Sequence, residues 1–581
     1  MGWQPRRLVA GIGVLAYRLH PRRVSSPGGR PDRFLGHRGL IALSAGVAMA
    51  EAGLLVLAAP AAVALAPQVT ALPPLAVFHD LRWLFGYNRS WLEFAAWMAI
   101  LVLGRSALDA ALVRLAWPRG ARPPRLIGTF SASLVFTLLA GLLLVPVVTV
   151  VFGVAVLPFS WPLLAALPVM LFVALPLSHG GVIPGWWRRL PPARAAGWAM
   201  ACFVEYSVLG IMLPRLAPAG VVAVAGLAGV VNARAWYGLT TAIARPARAR
   251  HHRLIAWVPV APVTAVAVFA VAIGAARLIF DAASGAPPAG IAAASAASAG
   301  FAAAAGSAVG TAYTPAAHGP QAPVLVVGGF GSSCCHTGHG LADAVPDMLV
   351  QQFSYLGLDA AGKPVPQGPS ASDIPIGELG DRIAAQVWQL HKQTGQRVDL
   401  VAESEGTLGV YAMLARHPRV PVGSIALLSP IVAPGQVSFP ADGRQGQGMA
   451  AGYALGVLNR LVGEMSPFGS AGAERLIDSV SSVGARYWAG IAAHQTSARW
   501  LAVVPLADAL TLPACSMPSN VLFVPAFHGG LLGDPPVLAM VRDFLDGRTV
   551  SGARSLREAA ELMSSAAAVW RMPVLSTPCP S

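Results

Sequence analysis

Charge is what this chain has least of: only 12% of its 581 residues are Asp, Glu, Lys or Arg, about half the share of an ordinary soluble domain. With 55% hydrophobic residues and a mean hydropathy of +0.60, much of it belongs in lipid. Cysteine is scarce as well. Five Cys exclude a disulfide scaffold, and neither CxxC pairs nor a zinc-finger spacing occurs; Cys515 and Cys579 can pair if their region is exported. Lysine is missing from the first 280 residues, whose 25 arginines against six acidic residues give +19, while the remainder carries −4. The arginines fall in clusters between long apolar segments instead of on a soluble, aromatic-bearing face. That arrangement excludes a nucleic-acid partner and reads as a set of membrane topology signals.

A helix needs roughly 20 apolar residues to cross a bilayer. Seven stretches qualify, at about 40–66, 94–116, 126–152, 156–177, 196–214, 218–240 and 254–280. The chain therefore predicts an all-α polytopic membrane bundle over 39–280, preceded by a basic arm, 1–38. Lys and Arg in short loops mark the cytoplasmic side. The arm carries eight arginines from Arg6 to Arg38, and the loops after spans 2, 4 and 6 carry Arg114, Arg119, Arg122 and Arg125, then Arg188, Arg189 and Arg194, then Arg245, Arg248, Arg250 and Arg253. An odd number of spans starting inside ends outside. A multi-pass protein of the cell membrane is expected, with a cytoplasmic N-terminus and everything after Phe280 extracytoplasmic. The apolar run 8–17 is too short to span, and no removable signal peptide is expected.

Glu51, Arg105, Asp109 and Glu205 fall near the middle of predicted spans, where ionisable groups are costly and count as functional candidates. Arg105 and Asp109 stand one helical turn apart and can neutralise each other. The four residues read either as a structural polar cluster or as part of a transport or lipid-handling path.

Residues 281–320, rich in Ala, Ser, Gly and Pro, read as a linker; an Ala-rich helix over 291–309 and an eighth span are the competing readings. From 321 onward short apolar runs alternate with amphipathic stretches, the pattern of a mostly parallel sheet with helices on both faces. Strands are expected at 323–327, 398–402, 424–428, 500–506 and 521–524, with helices over 378–392, from a turn at 403–406 through about 416, and from about 535. Residues 436–498 form a candidate helical cap, with ordinary core helix as the alternative.

Ser404 stands at a strand-to-helix junction in VDLVAESEG, with Ala402 two before it and Gly406 two after. Small residues there let a strand turn sharply into a helix and lift the hydroxyl out of the sheet edge. A serine needs a base, and the base an orienting acid. His528 follows a strand directly, and Asp508 follows the preceding one, giving the order Ser, acid, His. His494 has no strand end nearby, and Asp534 is better placed to cap the helix behind it. Backbone N–H groups of Phe330 and Glu405 are the expected oxyanion hole. The acidic residues flanking the serine, Glu403 and Glu405, either disfavour anionic substrates or face solvent. No Gly-Lys-Ser/Thr ending and no GxGxxG motif occurs, so no nucleotide cofactor is expected. The CCHTGH run at 334–339 lacks the spacing of common zinc sites, so no metal is expected, and a disulfide or loop packing is the favoured reading there.

Residues 322–581 resemble the α/β-hydrolase superfamily. VVGGFGSS is similar to its oxyanion-loop HGFGSS with Gly328 in place of His, VDLVAESEG to the nucleophile elbow of lipases and esterases, and HGGLLGDPPVLAMVRDFL to the catalytic-histidine segment and closing helix. The resemblance implies a serine ester hydrolase with Ser404, Asp508 and His528 as its triad, acting on a lipid or cell-envelope acyl ester. An acyltransferase using the same triad, or a transport or sensing membrane protein with a hydrolase-like binding domain, are the alternatives.

Overall fold

The computed structural model describes residues 33–153, 176–244, 258–267, 271, 322–335, 340–431, 449–454, 457, 475, 479, 498–506, 520–526, 528–570 and 573. Its first part is helical: α1 (Arg38–Ala58), α2 (Leu75–Tyr87), α3 (Trp91–Ala116), α4 (Leu126–Gly153), α5 (Ala193–Met212) and α6 (Pro218–Ala244). Among the described residues five helices are long and apolar enough to cross a membrane: α1, α3, α4 over Leu126–Val145, α5 with its following turn to Arg215, and α6. Nearly all of the expected fourth stretch, 156–177, lies outside the described residues, as does much of the seventh, of which 260–267 is helical.

The predicted first stretch is corrected at its far end. Helix α1 stops at Ala58, and the chain continues as short 3-10 turns, Pro60–Leu65 and Gln68–Thr70. Pro60 and Pro67 lack the N–H groups that would continue the helix. Buried helix α2, which no sequence signal marked, follows these turns. Backbone that is not helical survives at membrane depth only where protein covers it, and Ala62, Leu65, Ala66, Ala71 and Leu72 are all buried.

One end of this bundle is fixed by polar contacts. His37 Nδ1 lies 2.8 Å from the Leu115 carbonyl, Thr240 Oγ1 donates to Ala116 O at 2.8 Å, and Arg119 donates to Gly36 O at 2.6 Å. The start of α1 and the ends of α3 and α6 therefore meet. Arg234 of α6 lies over the Trp198 ring of α5, 4.7 Å from its centroid, which brings the start of α5 to the same end.

The second part is a six-stranded sheet, all parallel, in the order β2-β1-β3-β4-β5-β6. The strands are β1 (Pro323–Val327), β2 (Leu349–Gln352), β3 (Val398–Glu403), β4 (Val422–Leu428), β5 (Arg499–Pro505) and β6 (Val521–Val524). Apolar side chains alternate between two faces, as a period of two requires. Leu325, Val327, Leu400, Ala402 and Leu427 pack with α8 (Ile376–Thr394), α9 (Glu405–Arg416) and α11 (Arg554–Ala567). Val324, Val401, Ala426, Leu428 and Val503 pack on the other face with α7 (Leu341–Ala344) and α10 (Pro535–Leu545). A parallel sheet buried on both sides explains why its strands read as near-continuous apolar runs. From β1 the chain first adds β2 on one side and then β3 on the other, so its direction of growth reverses between β1 and β3. At such a switch point the two following loops part and leave a crevice at the carboxyl edge.

Candidate functional site

The residues at that crevice are Gly328 to Ser333 after β1 and Ser404 after β3. Ser404 has φ 53° and ψ −119°, a conformation that costs an L-residue about 1–3 kcal/mol and persists only when its surroundings hold it. They do so here through the backbone. The Ser404 N–H donates to Leu428 O on β4 at 3.0 Å, while its carbonyl accepts from Thr407 N at 3.0 Å and from Thr407 Oγ1 at 2.6 Å. The small neighbours have steric reasons: a methyl group on Gly406 would come within 2.7 Å of Val327 O, and one on Gly329 within 2.9 Å of Ser404 Cβ. The loop after β1 thus passes in contact with the serine, with Phe330 41% exposed.

His528 reaches the serine from the loop after β6. Ser404 Oγ and His528 Nε2 are 2.7 Å apart, within the range for proton transfer. Gly529, at φ +80°, makes the turn behind the histidine, and Leu531 N two residues later donates to Glu403 Oε1 at 2.7 Å. Asp508 lies outside the described residues. Asp534 does cap α10, its side chain accepting from Val537 N at 3.5 Å, but α10 is not the closing helix, because α11 follows it.

Neither carboxylate beside the serine faces solvent. Glu403 and Glu405 are 7% and 2% exposed, and the solvent reading fails because the elbow buries both flanks of the serine between β1, β4 and the histidine loop. Tyr355 Oη donates to Gly328 O at 2.7 Å and lies 3.3 Å from Glu405 Oε2. Burial pushes the Glu405 carboxyl well above its ordinary range, against the Tyr355 contact, with like charge on Asp373 adding to the rise. A phenol has one proton to give. Shared between the two acceptors, it ties Glu405 through Tyr355 to the loop after β1.

Cys334 and Cys335, just past that loop, are disulfide-bonded to each other, and Cys335 N donates to Gln352 Oε1 at 2.7 Å. His336, His339, His494, Cys515 and Cys579 lie outside the described residues. Among the described residues no group of three or more His, Cys, Asp or Glu could hold a metal.

In the helical part, three of the four expected intramembrane groups share one network. Arg105 makes a two-pronged contact with Asp80, Nε to Oδ2 at 2.7 Å and Nη2 to Oδ1 at 2.8 Å, and donates Nη1 to Val69 O at 2.6 Å. Its expected pairing with Asp109 is present but longer, 3.6 Å, and Asp109 also accepts from Ser133 at 3.0 Å. Glu51 meets His79 at 3.1 Å and accepts from Val69 N at 3.2 Å. Val69 is thus held at both backbone groups. Glu205 is not joined to this network: its carboxyl oxygens are buried with no hydrogen-bond partner among the described residues. Asp80, His79 and Arg82, the counter-groups supplied by α2, escaped sequence reasoning because they sit in a stretch too short and too charged to read as a span.

No family model matches the chain, and no curated protein matches it.

Proposed function

We propose that this protein is a membrane-embedded serine hydrolase of the α/β-hydrolase type that cleaves acyl esters through an acyl-enzyme on Ser404. The observation that carries this reading is the 2.7 Å approach of His528 Nε2 to Ser404 Oγ at a serine with φ 53°, directly against the glycine loop after β1. In the proposed reaction the imidazole takes the hydroxyl proton as Oγ attacks the ester carbonyl, then gives it to the departing alcohol. Water, deprotonated by the same imidazole, resolves the acyl-enzyme. The N–H groups of Phe330 and Glu405 are assigned to the developing oxyanion, and Asp508 to orienting His528, on its order in the chain after β5.

The same reading includes seven spans, an inside N-terminus and an outside hydrolase domain. It is supported by where the charges lie. Arg38, Arg119 and Arg194 belong to the end of the bundle at which α1 and α5 begin and α3 ends, and the sheet domain meets the opposite end, at Gly210 of α5. Arginine-rich loops mark the cytoplasmic face.

A fluorophosphonate probe tests the enzyme: labelling of wild type and its loss in Ser404→Ala is the expected result. No labelling of folded wild type, or labelling that survives the substitution, defeats it.

A further inference from the structure

The membrane part and the sheet are joined by a built contact, and its placement bears on where the substrate comes from. Helix α10 ends at the amino edge of the sheet, where Leu545 O accepts from Arg499, the first residue of β5, at 3.4 Å. Helix α11 starts from that edge, with Arg557 donating to Val521 O at the start of β6 at 2.6 Å. It crosses the sheet face through Ala560 and ends on α5. There Gly210 is the contact point: a methyl on it would lie 3.1 Å from Ser565 O and 3.2 Å from Val569 Cβ.

The next residues enter the membrane part itself. Trp570, 2% exposed, stacks on Phe203 with centroids 4.5 Å apart and planes 15° apart, and its Nε1 donates to Ser207 Oγ at 3.1 Å. The Val569 carbonyl accepts from Gln68 Nε2 at 2.8 Å and from Arg82 Nη1 at 2.9 Å, and Arg82 Nη2 donates to Gln68 Oε1 at 2.6 Å. Gln68 and Arg82 are fully buried. Tyr87 Oη donates to Pro573 O at 2.6 Å.

A second segment lands on the same part. Residues 449–454 lie in the crossover that leaves the carboxyl end of β4 and returns to β5. Ala450 and Ala451 are buried in the apolar core of the membrane part, and the Tyr453 ring lies 5.1 Å from Trp91 at the start of α3. Two segments that run toward or leave the carboxyl edge of the sheet therefore both reach the membrane part, at the ends of α3 and α5 that lie away from the arginine clusters. Phe330 and Leu356, on loops of that same edge, are 41% and 53% exposed.

We propose that this seat holds the carboxyl edge of the sheet at the bilayer surface, so that Ser404 draws a long-chain acyl ester from the adjoining lipid leaflet and not from solution. The proposal rests on the reading of Ser404 and His528 as an ester-cleaving pair. It also explains the use of a multi-helix bundle where one span would anchor an enzyme: the bundle supplies a socket with a set orientation, which a single tether cannot.

The test uses the full chain in phosphatidylcholine vesicles and two esters with one leaving group, p-nitrophenyl palmitate dissolved in the bilayer and p-nitrophenyl butyrate in solution. Trp570→Ala and Gly210→Val disturb the C-terminal contact, and Tyr453→Ala independently disturbs the other. Each is expected to lower palmitate turnover at least tenfold while leaving butyrate turnover within twofold of wild type. Palmitate loss in Tyr453→Ala alone also supports the proposal if the other two variants fail to fold. Equal losses on both esters, no loss on either, or a wild type that cleaves butyrate through Ser404 but never the bilayer ester overturns the proposal and leaves the hydrolase standing. If neither ester is cleaved and no fluorophosphonate labels Ser404, the hydrolase reading falls and takes the proposal with it.

Discussion

Glu403 and Ser404 are adjacent in the chain, and the first holds the loop that carries His528 to the second. Its Oε1 accepts from Leu531 N at 2.7 Å, three residues past His528, so removing the carboxyl frees the loop without touching the imidazole. A misplacement of about 1 Å costs on the order of a hundredfold in rate. Glu403→Ala is expected to lower kcat by roughly ten- to a hundredfold with KM unchanged, and Glu403→Gln, which keeps an acceptor oxygen, to restore most of it; steady-state kinetics on a soluble ester distinguish positioning from general instability. Glu405 has a different signature. Its folded carboxyl is raised by burial, whereas an unfolded Glu titrates near 4.3. Above that pH the unfolded chain releases a proton the folded chain keeps, so this group's contribution to stability is full below about pH 4.3 and declines as pH rises toward the folded value. Thermal unfolding in detergent should therefore show Glu405→Gln gaining on wild type between pH 5 and pH 8. A constant difference across that range would contradict a buried neutral acid. The meeting of Ser404 with His528 and the small residues Ala402 and Gly406 were legible, because a sharp strand-to-helix turn leaves no room for larger side chains there. The roles of Glu403, Glu405 and Tyr355 were not, because a carboxylate in a sequence gives no sign of whether the fold will bury it.

Among the elements, the central strands were legible for a physical reason: both faces of β1, β3 and β4 are covered, so nearly every residue is apolar and the run stands out. Strand β2 did not stand out. It is a four-residue edge strand, LVQQ, only partly covered, and half of it is polar. Helix α2 was lost for the opposite reason. Its charged residues imitate a loop, and only the tertiary partners of Asp80, His79 and Arg82 make them tolerable in an apolar core. Helix α11 carries no apolar signal of its own, because RSLREAAELMSS is mostly polar and follows a helix whose sequence resembles a closing one. The contact between α2 and α3 gives an element-scale expectation. Asp80 is 15% exposed and Arg105 2%, so removing Asp80 leaves the buried guanidinium with only the longer Asp109 contact, and removing Arg105 leaves both carboxylates without it, at a cost of up to roughly 3–5 kcal/mol. Asp80→Ala and Arg105→Met should each lower the unfolding temperature sharply, and the double variant by clearly less than their sum. Additive effects would mean the two groups do not act as a pair.

At the level of the whole molecule, two independent patterns agree. Charge sorts the helix ends into an arginine-rich set and an arginine-poor set, and the sheet domain docks on the poor one. Trypsin added to intact cells is accordingly expected to cut in the exposed Arg554–Glu558 region, where Arg554 is 90% exposed, and permeabilisation should not be needed. Protection in intact cells with cutting only after lysis would reverse the orientation. The sequence carried the charge sorting but not the docking, since nothing in the ELMSS run at 561–565 or in a lone tryptophan announces a socket some 360 residues away, at Phe203 and Ser207.

That socket also sets an order of assembly. Arg82 is synthesised 487 residues before Val569, whose carbonyl accepts a hydrogen bond from it. Until Val569 is made, the bundle must tolerate a guanidinium and a carboxamide with that acceptor still missing. Chains that stall or are clipped before residue 569 never supply it, and in them Gln68 and Arg82 lack the contact that seats the C-terminal segment.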